Sequence, residues 1–380
     1  MMVRRPNGPV PMPTPRYVPF DLSVDLIASF CNAELSDDPH YDGIEVQWFD
    51  DPGHGQGLLV FLQRRDSGLV DYYHTPGLTL DRDTYVLGAG TGAWTPTEFD
   101  PGVLEVGPDG IRCEVRFTDV DGRNVEVVID DRQPGERVTG QLLAPVGSAI
   151  EDPASLLLVH LHGFDLVRAG EVAPRITIDG RRAATGQLPG QRLHGRELIK
   201  YSAPLEAITV NRTRDAALLP IAEGPGTEGP ATEGPVTEGA EMRLEPEGVA
   251  ALWAGDAEYP VSLRFRPVVP DPTTLPDQHR RTGRWRVYSG EAPPLCGGSW
   301  RMERDGDEVH MVMEVEQGWQ PGPLPPLMRA VTTAVPVFRR WPTTYRWAAT
   351  ITLGEEPWIR SGWERTGERD GSYLRATSRT

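Results

Sequence analysis

Apolar and polar residues alternate with a period of two along most of this chain, which is the signature of half-buried β-strands. Ile44, Val46 and Trp48 alternate with Glu45 and Gln47. Ile111, Cys113, Val115 and Phe117 share a face opposite Arg112, Glu114 and Arg116. Val125, Val127 and Ile129 follow after the turn Asp121-Gly122, and Gly107-Pro108-Asp109-Gly110 precedes the set. Asp-Gly turns between alternating runs predict antiparallel hairpins. Further strands are expected at Leu58 to Leu62, Leu69 to His74, Tyr85 to Leu87, Val138 to Ala144, Arg175 to Asp179 and Ala207 to Asn211. After residue 240 the same style returns, in Tyr259 to Phe265, Trp285 to Val287, Trp300 to Met302, Val309 to Val315, Tyr345 to Leu353 and Trp358 to Trp363. Two stretches break the pattern. Leu22, Leu26, Ile27 and Phe30 fall near one helical face and predict a short helix over Phe20 to Ala33, and Leu324 to Trp341 reads as a loop or a broken helix.

The run Leu156 to Asp165 (LLLVHLHGFD) is the most apolar in the chain and is apolar on both faces. Such a strand is buried on both sides, or lies between a core and a lined cavity. Alternation places His160 and His162 with Leu156, Leu158 and Phe164, and Leu157, Val159 and Leu161 opposite.

With roughly sixteen to twenty strands and few short helices, the fold class is all-β, far above the ordinary strand fraction. Antiparallel meanders of this kind close into barrels or stack, which removes exposed edges. The chain divides on this reading into a Pro-rich arm at 1–18, a β-barrel domain of lipocalin-like character at 19–147, and a second at 148–380. Residues 222–240 hold three copies of a five-residue Glu-Gly-Pro unit that cannot bury a face, so they read as a solvated loop.

Composition narrows the function classes. A net charge of −17 argues against nucleic-acid or anionic-membrane partners. No apolar run is long enough for a transmembrane helix, and the Pro-rich start is no signal peptide, so a cytoplasmic protein is expected. Cys31, Cys113 and Cys296 have no CxxC partner and read as small buried side chains. There is no P-loop, GxSxG, HExxH or helix-opening GxGxxG, so no nucleotide cofactor is expected.

Some residues still invite chemistry. His160-x-His162 has the spacing with which a strand can offer two imidazoles to a metal. His74, Asp165 and His194 are the candidate third ligands, but satisfied structural histidines or ligand contact are the stronger readings, so no metal is expected. Asp71-Tyr72-Tyr73-His74 ends a strand with an aromatic rim. The acidic pairs Asp37-Asp38, Asp50-Asp51 and Asp130-Asp131, and the run Asp305 to Glu308, sit in or beside turns, where Asp is favoured for backbone reasons. Eight of the ten tryptophans follow residue 250 and either fill a core or line a pocket.

The pattern in Gly43 to Asp50, Gly102 to Asp131 and Trp341 to Trp363 resembles the bacterial tandem lipocalin-like group that includes the carotenoid hydratase and AttH-like proteins. It also resembles β-barrel accessory proteins of actinobacterial polyketide pathways, including enediyne pathways. The likeness implies binding of a hydrophobic polyketide, polyene or fatty-chain molecule in natural-product biosynthesis, and carries over no catalytic residue. The expected ligand-binding residues are His160, His162, Trp285, Trp300, Trp347, Tyr73 and His74. The alternative is a cofactor-independent cyclase, hydratase or isomerase in the same pocket. Edge strands and the Pro-rich arm allow a homodimer.

Overall fold

A computed structural model describes residues 16–82, 87–148, 150–170, 172–186, 195–221 and 241–366. The arm up to residue 15, the strand expected at Tyr85, His194 and the loop 222–240 lie outside the described residues. The first part carries β1 (Leu22–Ile27), β2 (Ser29–Glu34), β3 (Tyr41–Asp51), β4 (Gly55–Arg64), β5 (Val70–His74), β6 (Thr91–Pro96), β7 (Gly102–Gly107), β8 (Gly110–Thr118), β9 (Asn124–Asp130) and β10 (Gly140–Ala144). After it come β11 (Leu156–Arg168), β12 (Arg175–Ile178), β13 (Arg181–Arg182), β14 (Arg196–Ser202) and β15 (Leu205–Val210). The remainder holds β16 (Arg214–Ala217), β17 (Glu241–Glu245), β18 (Gly248–Ala254), β19 (Val261–Val269), β20 (Arg280–Ser289), β21 (Cys296–Asp305), β22 (Glu308–Gln317), β23 (Tyr345–Thr352) and β24 (Trp358–Arg365). Two short helices, α1 (Pro326–Ala334) and α2 (Pro336–Arg340), interrupt the last series. The protein is all-β, built from curled, barrel-like antiparallel sheets. Only β5 and β6 pair in parallel among the described strands.

Three sheets form. The largest runs β1-β15-β11-β14-β2-β3-β4-β5-β6, with β10 added on β11. A five-stranded sheet, β13-β12-β9-β8-β7, packs behind its β14-β2-β3-β4 side. There Cys31, Ile44, Val46, Val60 and Tyr201 meet Ile111, Cys113, Val115 and Val127 in one buried cluster. The third sheet runs β16-β24-β23-β22-β21-β20-β19-β18-β17. These ladders cross the division expected at 147/148. β10 pairs β11, β14 pairs β2, and β9 pairs β12. Sequence order does not reveal such pairing, because long returns between antiparallel strands leave no local mark.

The helix expected over Phe20 to Ala33 is instead two strands, β1 and β2, broken at Ala28. Tertiary pairing overrides the helical spacing: Leu22 to Ile27 lie in register against Val210 to Leu205. Just before this strand, Phe20 stacks on Phe265 at 4.5 Å between ring centres and lies 5.9 Å from Trp347. The chain start therefore joins the large sheet to the interior of the nine-stranded one. Asp21 and Asn211 exchange hydrogen bonds across 190 positions of sequence.

Glycine and tryptophan alternate across β20 and β21. Trp285 lies opposite Gly298, and Gly283 opposite Trp300. A Cβ on Gly283 would stand 2.6 Å from the Trp300 indole nitrogen, so the Trp300 indole lies over a bare backbone. This is how a curled sheet of nine strands accommodates residues of that volume in its interior.

Candidate functional site

The structure settles which face of Leu156 to Asp165 is which. A bulge at Gly163 shifts the register between β10 and β11, and Gly163 adopts φ +53°. Leu157, Val159 and Leu161 form one wall of a cavity, and Phe164 and Leu166 join them beyond the bulge. The expected grouping of Phe164 with the histidines is thereby corrected: the extra residue of a bulge reverses the faces that follow it. The strand has a core on one side and a cavity on the other, and the cavity lies on the side away from the histidines.

That cavity has a volume of about 300 Å³. Its floor is the curled face of the large sheet, with Ile27, Phe30, Leu205 and Ala207 beside the β11 residues. Leu142 and Ala144 of β10 close one flank, and Met328 of α1 and Phe338 of α2 reach over from the β22–β23 connection. A second cavity of about 210 Å³ adjoins it, sharing Leu87, Val146 and Leu157 and ending at Trp341 and Tyr345.

One polar row crosses this apolar floor. Cross-strand register puts Lys200 of β14 opposite Asn32 of β2, Asn32 opposite Glu45 of β3, and Glu45 opposite Phe61 of β4. Phe61, Tyr72 and Trp94 continue the row as aromatic rings 5.3 and 5.1 Å apart. The Glu45 carboxyl accepts from Asn32 Nδ2 at 3.1 Å and from Gln47 Nε2 at 2.6 Å. Burial raises it to about 7, against the lowering pull of those two amides and of the Lys200 charge. At the rim, His54 stands 2.9 Å from Asp51 and 3.7 Å from Asp25. Its pairing with Asp25 leads over burial and raises its imidazole to about 9, helped by Asp51.

The seven residues expected to bind ligand are not among those lining this cavity. Trp285, Trp300 and Trp347 are fully buried in the core of the nine-stranded sheet. The Trp285 indole N–H donates to the Ser299 and Glu314 carbonyls, whereas those of Trp300 and Trp347 have no hydrogen-bond partner among the described residues. Tyr73 is buried in the cluster behind the large sheet, where its hydroxyl accepts from the Val120 N–H. His74 stands beside Trp94, 5.5 Å between ring centres, at the end of β5.

His160 and His162 come together with a residue absent from the sequence reading, Glu206 of β15. Register places Glu206 directly opposite His160. His160 Nδ1 donates to Glu206 Oε2 at 2.9 Å, and His162 Nε2 lies 3.0 Å from the same oxygen. Ser289 Oγ, at the end of β20, donates to the other carboxylate oxygen at 3.0 Å. Burial alone would raise the Glu206 carboxyl, but His160 and His162 outweigh it and hold the group down at about 2. Burial pushes the His160 imidazole down, beyond what the carboxylate restores. Of the expected third ligands, Asp165 pairs with Arg196 at 3.3 Å, and His74 is separated from β11 by four intervening strands and the sheet's curl.

Sequence reasoning missed Glu45 and Glu206 for the same reason. Glu45 sits on an alternating strand whose polar face reads as exposed, and Glu206 lies just before the strand expected from Ala207, so only cross-strand register shows what covers them. Asp38 and Asp51 sit in turns and accept the backbone N–H groups of residues two and three positions on, whereas Asp131 is buried against Arg168.

Comparison with known proteins found no matching family model, no matching curated protein and no matching solved structure. Among the described residues, no helix is long and apolar enough to cross a membrane.

Proposed function

We propose that this protein binds a hydrophobic small molecule, of the polyketide, polyene or fatty-chain kind, on the curled face of its large sheet. The observation that carries this reading is the apolar cavity of about 300 Å³ between that sheet and the two helices. Its size and lining, with a few convergent polar groups, match what small-molecule sites use. The resemblance to tandem lipocalin-like proteins of bacterial natural-product pathways supports the same ligand class.

A second reading is favoured by Glu45. A carboxyl raised to about 7 among apolar walls is suited to donate or accept a proton near neutrality. In a cofactor-independent isomerase, hydratase or cyclase it would be the acid–base group, with Asn32 and Gln47 fixing its orientation. The indole and imidazole groups of the sequence reading would then have no part in the reaction.

Titration with the fluorescent polyene cis-parinaric acid tests the binding reading. Val159 lies mid-wall, so Val159→Trp fills the cavity. We expect saturable binding by the wild type and an affinity about 10-fold or more weaker in the variant, with unchanged far-ultraviolet circular dichroism. Equal binding by both proteins, or none by the wild type, would overturn the assignment of this cavity.

A further inference from the structure

We infer that His160, His162 and Glu206 form a binding site for a divalent transition-metal ion of the zinc class. This site lies on the opposite face of β11 and β15 from the ligand cavity, and the inference does not depend on that cavity's role. Three donor atoms, His160 Nδ1, His162 Nε2 and one Glu206 carboxylate oxygen, all lie within 4.8 Å of one another. Two of the spacings are 2.9 and 3.0 Å. Ligands on a tetrahedral zinc ion, with bonds of about 2.0–2.2 Å, stand roughly 3.3 Å apart. The two spacings to Glu206 would need to open by only a few tenths of an ångström to match.

The local build favours convergence on one point. His160 and Glu206 are a directly opposed cross-strand pair, and His162 follows on the same face of the same strand. The Gly163 bulge falls immediately after His162, and bulges commonly re-aim the neighbouring side chain. The contact between His162 and Glu206 is informative. At 3.0 Å the nitrogen is close to the oxygen, yet it lacks the alignment of a hydrogen bond and is buried without any other partner. Two groups near each other but not bonded to each other suit a shared third atom.

The surroundings match a metal site as well. Ser289 Oγ occupies Glu206 Oε1, which leaves Oε2 for the ion and fixes the carboxylate plane. The Tyr259 ring stands 5.1 Å from His162, and the two imidazoles meet edge to face at 4.3 Å. His160 and Glu206 are 1% and 0% exposed, and the His162 side chain is 15% exposed, which leaves a path for an ion. The unpartnered His160 Nε2 does not discriminate, because it lacks a partner with or without an ion. Two imidazoles and one carboxylate suit zinc, iron(II) or cobalt(II) better than calcium or magnesium, which prefer all-oxygen sets. Three protein ligands leave a fourth position for water.

The test uses the full chain without a histidine tag, stripped with chelator and dialysed. Zinc chloride is titrated by calorimetry, and cobalt(II) by the intensity of its visible absorption, which reports low-coordinate geometry. One equivalent of zinc with micromolar or tighter affinity is expected. His162→Gln and Glu206→Gln should each weaken it roughly 100-fold or more, while the exposed His310→Gln should leave it unchanged. Should Glu206→Gln fail to fold, the part-exposed His162→Gln decides alone. Absence of stoichiometric binding, or binding undiminished in His162→Gln, would overturn the site. Binding with octahedral rather than low-coordinate cobalt absorption would overturn the three-ligand geometry.

Discussion

Glu45 is a carboxyl whose ionisation the fold opposes. In the unfolded chain it ionises near 4.5, and in the fold near 7. Below about pH 4.5 it is protonated in both states and costs nothing. As pH rises between those values, the unfolded chain releases the proton first, so this residue draws stability away from the fold, fully so above about pH 7. Glu45→Gln should therefore match the wild type in chemical denaturation near pH 4.5 and exceed it near pH 8. The gain should be on the order of 1 kcal/mol, allowing for the residue's partial exposure. A variant that is equally destabilised at both pH values would show that the carboxyl is not raised. At this scale the sequence was a poor guide. His160 and His162 stood out because imidazoles on an apolar strand are rare. Glu45 and Glu206 did not, because a lone glutamate on a strand is what solvent-facing strands carry, and the groups around Glu206 come from residues 46 and 83 positions away.

The elements themselves were far more legible. Alternation identified β3, β8, β9, β19, β20, β22 and β23, because one face of each is buried and the side-chain period is fixed at two. The short strands β6, β13 and β16 are not evident from the pattern, since their residues are part-buried or exposed and leave no apolar rhythm. The helical spacing of Leu22, Leu26 and Ile27 misled because, over so few residues, helix and strand patterns coincide and long-range pairing decides. Gly163 had no visible role until the bulge appeared. Its φ is +53°, and a Cβ at this position would stand 2.9 Å from the Ala203 carbonyl oxygen, which leaves no room for a side chain. Gly163→Ala should cost about 1–3 kcal/mol in denaturant unfolding. It should also disturb both faces of β11, since the bulge sets which residues line the cavity. An unchanged midpoint would mean that the strand relaxes without the bulge.

At the scale of the molecule, the all-β class followed from the sequence, whereas the partition into two successive barrels did not follow the pairing of strands. Of the large sheet's members, β11, β14 and β15 come from beyond residue 147, and the five-stranded sheet takes β12 and β13 from there. A fragment of residues 1–147 is therefore expected to lack cooperative unfolding by circular dichroism. A fragment ending at 221, which keeps every strand of these two sheets, should retain β structure. Cooperative unfolding of the shorter fragment would show that the expected boundary is real. The tryptophans make the same point about scale. Their enrichment is plain in the sequence, but that Trp285 and Trp300 stand opposite glycines across β20 and β21 shows only in the register.

The bond between Asp21 and Asn211 also sets a timetable for synthesis. The two residues lie 190 positions apart, and β1 has no other strand partner than β15 among the described residues. At ribosomal rates of about 5–20 residues per second, β1 leaves the ribosome on the order of 10–40 s before β15 does. Throughout that interval an apolar strand and the ring of Phe20 have nothing native to pair with. The newborn chain must keep the strand from its neighbours until β15 has been made, and the ring of Phe20 longer still, until Phe265 follows.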